Sequence, residues 1–298
     1  MYRLQGLVPM VSFYFSKTPF FKWLWRKMSW RWLIKARIHS NYMYLDALDP
    51  GISTNLLVEG TREPGHVAQV KGNLKTGMCG IDIGANIGYY VLIEAKQIGE
   101  KGRIYAIEPE PENIELLKKN IIANGFENQV SVFQYLVGDR DEMSSLRLSA
   151  FSNRHSVSEA NRYKIPGSEK APVIPVPMIR LDSFMEQKNL RPEDVNFLRM
   201  DVEGYEVVIF QGMNKLLNAK TPLKIFIELH PKWYGEWGWT LEKFIDQLSA
   251  HGLKVKSLSF KREGGIQTVE DPTREQVLAT ENSPYTINGG SHAYLERI

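Results

Sequence analysis

Ten residues constrain this chain more than any others: Ile81-Asp82-Ile83-Gly84-Ala85-Asn86-Ile87-Gly88-Tyr89-Tyr90. The residues before the turn, 78–83, read as a short buried strand. Those after it, 89–98, read as a helix that Gly99 stops. Glycines placed between strand and helix let the backbone pass close to a ligand, and the helix start offers free N–H groups. A chain with this unit folds around a parallel sheet, with the strand–turn–helix junction at its ligand-binding edge.

The same alternation runs on. Strands are expected at 103–107, 130–137, 195–200 and 223–229, with late strands near 253–260 and 291–297. Helices are expected at 111–124, where Ile114, Leu117, Ile121 and Ile122 share a face, at 205–217, and at 240–250 behind a Thr240 cap. Residues 140–180, closed by Pro172, Pro175 and Pro177, form a less regular insertion, read as edge strands or as a loop over the site. The pattern predicts an α/β fold: a mostly parallel seven-stranded sheet with an antiparallel terminal strand, in one domain over residues 46–298.

Residues 1–45 are different in kind. They carry eight Lys and Arg and no acid, so the remainder of the chain is net acidic although the whole has a formal charge of +3. Trp23, Trp25, Trp30 and Trp32 fall in the same stretch. It is expected to be a helical extension, either packed on the domain with its cations in water or touching a membrane surface. No run approaches the length of a spanning helix, and Cys79, the single cysteine, forms no internal disulfide. A cytoplasmic protein, with or without peripheral membrane contact, is the expectation.

The junction also indicates its ligand. A dinucleotide fold would place Gly-x-Gly-x-x-Gly here, whereas this chain has Asp-x-Gly-x-Asn-x-Gly. A carboxylate at the strand end repels a pyrophosphate but suits an ammonium, which points to the amino-acid end of S-adenosylmethionine. Asp82, Gly84, Ala85, Asn86 and Gly88 are the candidate cofactor residues of the turn. Glu108 follows Gly88 by 20 residues at the end of the next strand, where a carboxylate accepts the ribose hydroxyls. Pro109 and Val137 are then placed beside the adenine.

Three segments carry a resemblance: Asp82-Ile-Gly-Ala-Asn-Ile-Gly-Tyr-Tyr, Ile107-Glu-Pro-Glu-Pro-Glu-Asn-Ile and Met200-Asp-Val-Glu-Gly-Tyr-Glu-Val, with Ile227-Glu-Leu-His after them. Together they resemble the FkbM-type family of S-adenosylmethionine-dependent methyltransferases over roughly residues 45–298. The resemblance implies a class I, Rossmann-like methyltransferase fold and methylation of a hydroxyl on a small molecule, a sugar or a lipid-linked glycan. RNA or protein methylation, or a non-catalytic membrane-associated binding protein on the same fold, remain the alternatives. The acidic balance of residues 46–298 disfavours nucleic acid.

An alcohol is a poor nucleophile, so methyl transfer to it gains from a base. Asp201 is the first candidate, placed where both cofactor and acceptor reach, with Glu203 beside it and Arg199 on the same strand face. His230, which ends the next strand, is a further candidate base. Asp201, Glu228 and His230 offer metal-ligand atoms, but three ligands from two loops do not make a site, and no metal is assigned. Trp233, Tyr234, Trp237 and Trp239 are read as an acceptor wall or as packing for the N-terminal aromatics. Arg154, His155 and Arg162 are read as contacts for an anionic acceptor or as solvated residues.

Overall fold

The computed structural model describes residues 32–149, 151–153, 155–157, 171–263, 265–281 and 290–298. The described chain opens with a hairpin, β1 (Leu33–Ile38) and β2 (Asn41–Asp46), then α1 (Ile52–Glu59) and α2 (Pro64–Asn73). Next come β3 (Cys79–Ile83), α3 (Tyr89–Ile98), β4 (Arg103–Ile107), α4 (Pro111–Ile122) and β5 (Val130–Phe133). The insertion holds β6 (Leu136–Gly138), β7 (Glu142–Arg147), β8 (Ser156–Val157) and β9 (Val173–Arg180). After it follow α5 (Leu181–Gln187), β10 (Phe197–Met200), α6 (Glu206–Gln211), α7 (Asn214–Asn218) and β11 (Leu223–Leu229). The chain ends with α8 (Leu241–Ala250), β12 (Lys254–Arg262), β13 (Gly265–Glu270), α9 (Arg274–Leu278) and β14 (Ser291–Arg297).

The main sheet runs β13-β12-β14-β11-β10-β3-β4-β5. β5, β4, β3, β10 and β11 are parallel, and β14 lies antiparallel between β11 and β12. This is the order of a class I methyltransferase sheet with one strand more than the seven expected, because β13 folds back on β12 at the edge. The two late strands are antiparallel neighbours as expected, but β13 and α9 lie between them in the chain. The strand order reverses between β3 and β10, which is where such sheets open a ligand crevice.

Alternate residues of the central strands feed two cores. Phe197 and Phe226 face the side covered by α1, α2, α3 and α4, whereas Leu198, Ile225 and Ile227 face the side covered by α5, α6, α7 and α8. Several helix boundaries follow from their caps. Thr240 accepts a hydrogen bond from the Lys243 N–H at 3.1 Å, and Glu110 accepts one from Asn113 at 2.6 Å.

Three expectations are corrected. Residues 33–45, expected in a helical extension, are the β1–β2 hairpin, and the boundary after residue 45 falls inside β2. Alternation explains it: Asn41, Met43 and Leu45 point inward, and Met43 and Leu45 join the core under α3 and α4. The open edge of β2 is closed by side-chain amides from α4 and the turn after it. Asn124 accepts from Tyr42 N–H at 2.8 Å and donates to Tyr42 C=O at 2.7 Å, and Asn120 accepts from Tyr44 N–H at 2.6 Å. The rest of the extension, 1–31, lies outside the described residues. Second, the expected strand 130–137 is divided: β5 stays in the main sheet, while β6 leaves to pair with β9 in the four-stranded sheet of the insertion. Third, the expected helix 205–217 is broken into α6 and α7 at Gly212. A Cβ there would lie 2.0 Å from the Gly138 carbonyl, so the chain must turn where β6 passes.

Candidate active site

An open cleft of about 600 Å³ lies at the carboxyl ends of β3, β4 and β10. One wall is the glycine turn. Gly84 and Ala85 donate their N–H groups to the Ile107 carbonyl at 2.9 and 3.1 Å, which bends the turn toward β4. Gly84 has φ +82°, and a Cβ on it would stand 2.2 Å from the Asp201 carbonyl, so the turn after β3 and the loop after β10 touch only because this residue is glycine. Glu108 forms the floor. It accepts from Asn86 N–H at 2.8 Å, Glu110 N–H at 3.1 Å and Asn113 Nδ2 at 3.2 Å, and burial pushes its carboxyl up to about 7. Pro109, Tyr135, Leu136, Val137, Leu146 and Val157 make an apolar side suited to a flat ring.

The insertion closes the far side with Ser152, Asn153 and His155. The Ser152 carbonyl accepts from Asn86 Nδ2 at 2.9 Å and Asn113 Nδ2 at 3.1 Å. Asp49 in turn accepts from Ser152 Oγ at 2.7 Å and Ser152 N–H at 3.2 Å. The insertion is thereby fixed to both cofactor-facing loops. His155 lines the cleft and accepts from Ser149 N–H through Nδ1 at 3.0 Å. Arg154 and Arg162 fall outside the described residues.

Of the expected cofactor residues, Gly84, Asn86, Glu108, Pro109, Val137 and Asp201 line the cleft, whereas Asp82, Ala85 and Gly88 do not. Asp82 is fully buried, and parallel register sets it directly across from Arg199, whose guanidinium binds it at 3.1 Å. Asp82, expected to meet an ammonium directly or through water, therefore does not line the cleft itself. Asp201 and Glu203 are the carboxylates that reach the cleft at this end. Ala85 belongs to the core, and Gly88, at φ +94°, lets α3 lie against Leu117, which a Cβ would meet at 2.7 Å.

Beyond Asp201 the site becomes a buried network of charges. Arg199 lies 3.8 Å from the centre of the Tyr90 ring and donates to Asp201 Oδ2 at 2.9 Å. Even so, burial and the neighbouring Glu228 raise the Asp201 carboxyl to about 8. Glu203 holds a left-handed backbone at φ +53° and sits 3.8 Å from His230 Nε2. His230 is itself buried, with Nδ1 2.8 Å from the carboxylate of Glu206, a residue with no exposed surface, and Nε2 3.5 Å from Glu228. Burial alone would lower its pKa, but Glu228 and Glu206 raise it well above the ordinary value, which favours the protonated ring. Glu63, from the turn before α2, accepts from Arg62 Nη2 and from the Tyr90 hydroxyl, both at 2.8 Å.

With this geometry in view, the comparisons with known proteins become informative. Residues 82–255, more than half of the chain, match the Methyltransferase FkbM domain. The chain belongs to the FkbM methyltransferase family. The family is one of S-adenosylmethionine-dependent methyltransferases, and the cleft offers such a cofactor a buried carboxyl, an apolar wall and two further acids. Protein-L-isoaspartate O-methyltransferase 1 of Archaeoglobus fulgidus is 34% identical over 67 residues, 22% of this chain and 29% of that protein. The corresponding enzyme of Methanothrix thermoacetophila is 24% identical over 119 residues, 39% of this chain and 56% of that one. The matches thus span between about a third and just over half the length of these relatives. Among solved structures, Methanocaldococcus jannaschii TYW2 in complex with AdoMet aligns with a TM-score of 0.45 and 14% identity, over 91% of this chain and 89% of that one. The tRNA m1G37 methyltransferase of the same organism gives 0.46 and 14%, over 90% and 55%.

The family match covers less than the resemblance suggested: the hairpin, α1, α2, β13 and β14 lie outside it. Two of those segments bring residues that motif reading missed. Arg62 and Glu63 precede α2, and His292 stands in β14 opposite Glu228. Only Arg62-Glu63-Pro64, a charged pair before a helix-starting proline, marked the first in sequence. The tryptophan loop, expected as an acceptor wall or as packing for the N-terminal aromatics, packs on the core in the described residues. Pro231–Trp237 is a 3₁₀ helix whose Tyr234 is fully buried. Trp237 meets Tyr205 edge-on at 5.0 Å, and Trp239 packs between Phe210 and Phe244. Tyr234 belongs to the core, Trp237 and Trp239 are partly buried against it, and none of the three lines the cleft.

Proposed function

We propose that this chain methylates a hydroxyl group, with Asp201 as the base and Glu203 orienting the acceptor. The observation that supports it is the position of Asp201: it lines the cofactor cleft, is held by Arg199, and has its carboxyl raised to about 8. A carboxyl with an affinity for protons near neutrality is matched to taking one from an alcohol as the bond forms. S-adenosylmethionine supplies an electrophilic methyl on a sulfonium, and the positive charge beside Asp201 favours its ionised form once both ligands are in place. His230 favours its protonated form, so in this reading it acts as a cation that holds Glu203 and Glu228 rather than as a base.

The acceptor class in this reading is a small hydroxylated molecule, a sugar or a lipid-linked glycan. The acidic balance after residue 45 and the carboxylates at the reacting end support a neutral polyol over a nucleic acid. The basic aromatic start, with Trp32, Lys35, Arg37 and Tyr42 exposed, supports a peripheral membrane contact that brings the enzyme to amphipathic acceptors. Among the described residues no helix is long and apolar enough to cross a membrane. A screen of hydroxylated glycans and lipids with labelled donor tests the reaction: product that resists base hydrolysis is the expected ether, and a base-labile ester or N-methyl product overturns it. Co-sedimentation with anionic vesicles tests the surface contact, which fails if a chain lacking residues 1–31 and carrying Trp32→Ser, Lys35→Gln and Arg37→Gln binds as well as the full chain.

A further inference from the structure

Glu63, Glu228 and His292 form a group that does not line the cofactor cleft and to which the methyl-transfer reading assigns no ligand. Each comes from a different element: the turn before α2, the end of β11, and the start of β14, where antiparallel register puts His292 directly opposite Glu228. One ligating atom from each lies within 4.8 Å of the others. His292 Nε2 stands 3.1 Å from Glu63 Oε2 and 3.7 Å from Glu228 Oε2.

Such spacings arise in two ways, and direction separates them. In a hydrogen-bonded ion pair the ring N–H points at an oxygen. Here the buried Nε2 makes no hydrogen bond: Glu63 Oε2, although 3.1 Å away, lies off the N–H direction, and Glu228 Oε2, at 3.7 Å, is beyond hydrogen-bond reach. Ligands around a shared cation are arranged like this: their lone pairs point at a common centre, and bond lengths of about 2.0–2.2 Å leave donor atoms roughly 3–3.6 Å apart. The outer partners are also in place. Arg62 binds the other oxygen of Glu63, the Tyr90 hydroxyl donates to Glu63 Oε2 at 2.8 Å, and the Gly290 N–H donates to Glu228 Oε1 at 2.9 Å. The His66 ring packs beside the His292 ring, tilted by 40° with centroids 4.6 Å apart.

We propose that Glu63, Glu228 and His292 bind one divalent transition-metal cation. One imidazole nitrogen with two carboxylate oxygens suits Zn²⁺ or Mn²⁺, whereas Mg²⁺ and Ca²⁺ favour all-oxygen sets. The cation would tie the turn before α2, which the family match does not include, to the central strands.

The test uses the full chain, stripped with a chelator and titrated calorimetrically with Zn²⁺, Mn²⁺ and Mg²⁺ in the absence of cofactor. The expected result is one site per chain, with Zn²⁺ or Mn²⁺ bound at least tenfold more tightly than Mg²⁺. His292→Ala and Glu228→Gln should each weaken that binding at least tenfold while S-adenosylhomocysteine still binds. Pulsed electron paramagnetic resonance on the Mn²⁺-loaded wild type should show coupling to one imidazole nitrogen, and this decides the matter should both variants fail to fold. No metal uptake by wild type, with His292 an imidazolium between its two glutamates, overturns the proposal. Uptake without nitrogen coupling, or uptake unchanged in well-folded variants, overturns it equally.

Discussion

The two ends of the site are built in opposite ways. The cofactor end is a wall of apolar side chains and backbone with one carboxyl, Glu108, whose oxygens both have donors. The reacting end is a network of acids and cations drawn from the turn before α2, the ends of β10 and β11, the start of α6 and the start of β14. The first binds by shape and a few directed bonds. The second holds charge out of water, where removing one member leaves its partners uncompensated. Substitutions at the two ends should therefore fail in different ways.

The largest effect is expected at the reacting end, on turnover alone. Asp201→Asn keeps size and shape but removes the base, so turnover should fall by about 10²–10⁴ while S-adenosylhomocysteine binds nearly as before. In the wild type the base must first lose its proton, so acceptor kcat/KM at saturating donor should rise with pH. The midpoint should lie below the free-enzyme value of about 8, because the sulfonium charge favours the carboxylate. Asp201→Asn should lose that rise. A variant that retains both rate and pH profile would move the base to Glu203.

Next is a loss of stability at the same end. Glu206 has no exposed surface and holds His230 Nδ1 at 2.8 Å. Glu206→Ala leaves an imidazolium short of its nearest counter-charge, and breaking a buried pair in this way costs about 3–5 kcal/mol. Glu228 and Glu203 remain beside His230, so the lower part of that range is expected in urea unfolding. Loss of binding at unchanged stability would instead assign Glu206 to the ligand.

The same contrast explains what could be read from the sequence. The cofactor end was legible because a strand, a glycine turn and a helix are consecutive, and a carboxyl at the end of the next strand follows from the repeat. Even there, the partner of Asp82 is not legible in the motif. Whether Asp82 faces the cleft depends on parallel register with Arg199, which lies 117 residues away. At the reacting end, Asp201 and Glu203 were found because they share one loop. Glu63 and His292 were not, because only the antiparallel insertion of β14 and the packing of α2 bring them to Glu228. The hairpin at 33–46 was hidden by the basic aromatic residues around it, although every second residue of β2 points inward.

Where the two ends touch, a single methyl group should disturb both. Gly84→Ala places a Cβ in a left-handed residue and 2.2 Å from the Asp201 carbonyl. Strain of about 1–2 kcal/mol and overpacking of about 1–3 kcal/mol together predict a loss of about 2–5 kcal/mol. Gly125→Ala is the control. It has φ +70° with nothing within 4 Å of the added Cβ, so only the strain, about 1–2 kcal/mol, is expected. Equal denaturant midpoints for the two variants would mean that the loop after β10 yields freely, and that the two ends are mechanically separate.

The smallest effect belongs to the cofactor end alone. Glu108→Gln retains an acceptor oxygen but exchanges charge-assisted hydrogen bonds for neutral ones, a difference of about 1–1.5 kcal/mol, or roughly tenfold in S-adenosylhomocysteine affinity. Turnover at saturating cofactor should be nearly unchanged, the reverse of Asp201→Asn. Burial pushes the Glu108 carboxyl up to about 7, so the free protein gains a proton there as pH falls through neutrality. That proton occupies an oxygen the ribose needs as acceptor. Wild-type affinity should therefore be highest above about pH 7 and decline below it, while Glu108→Gln, with nothing to titrate, stays level across the same range. A decline of equal size in both would place the titrating group elsewhere, and Asp201, which also lines the cleft, would be the residue to substitute next.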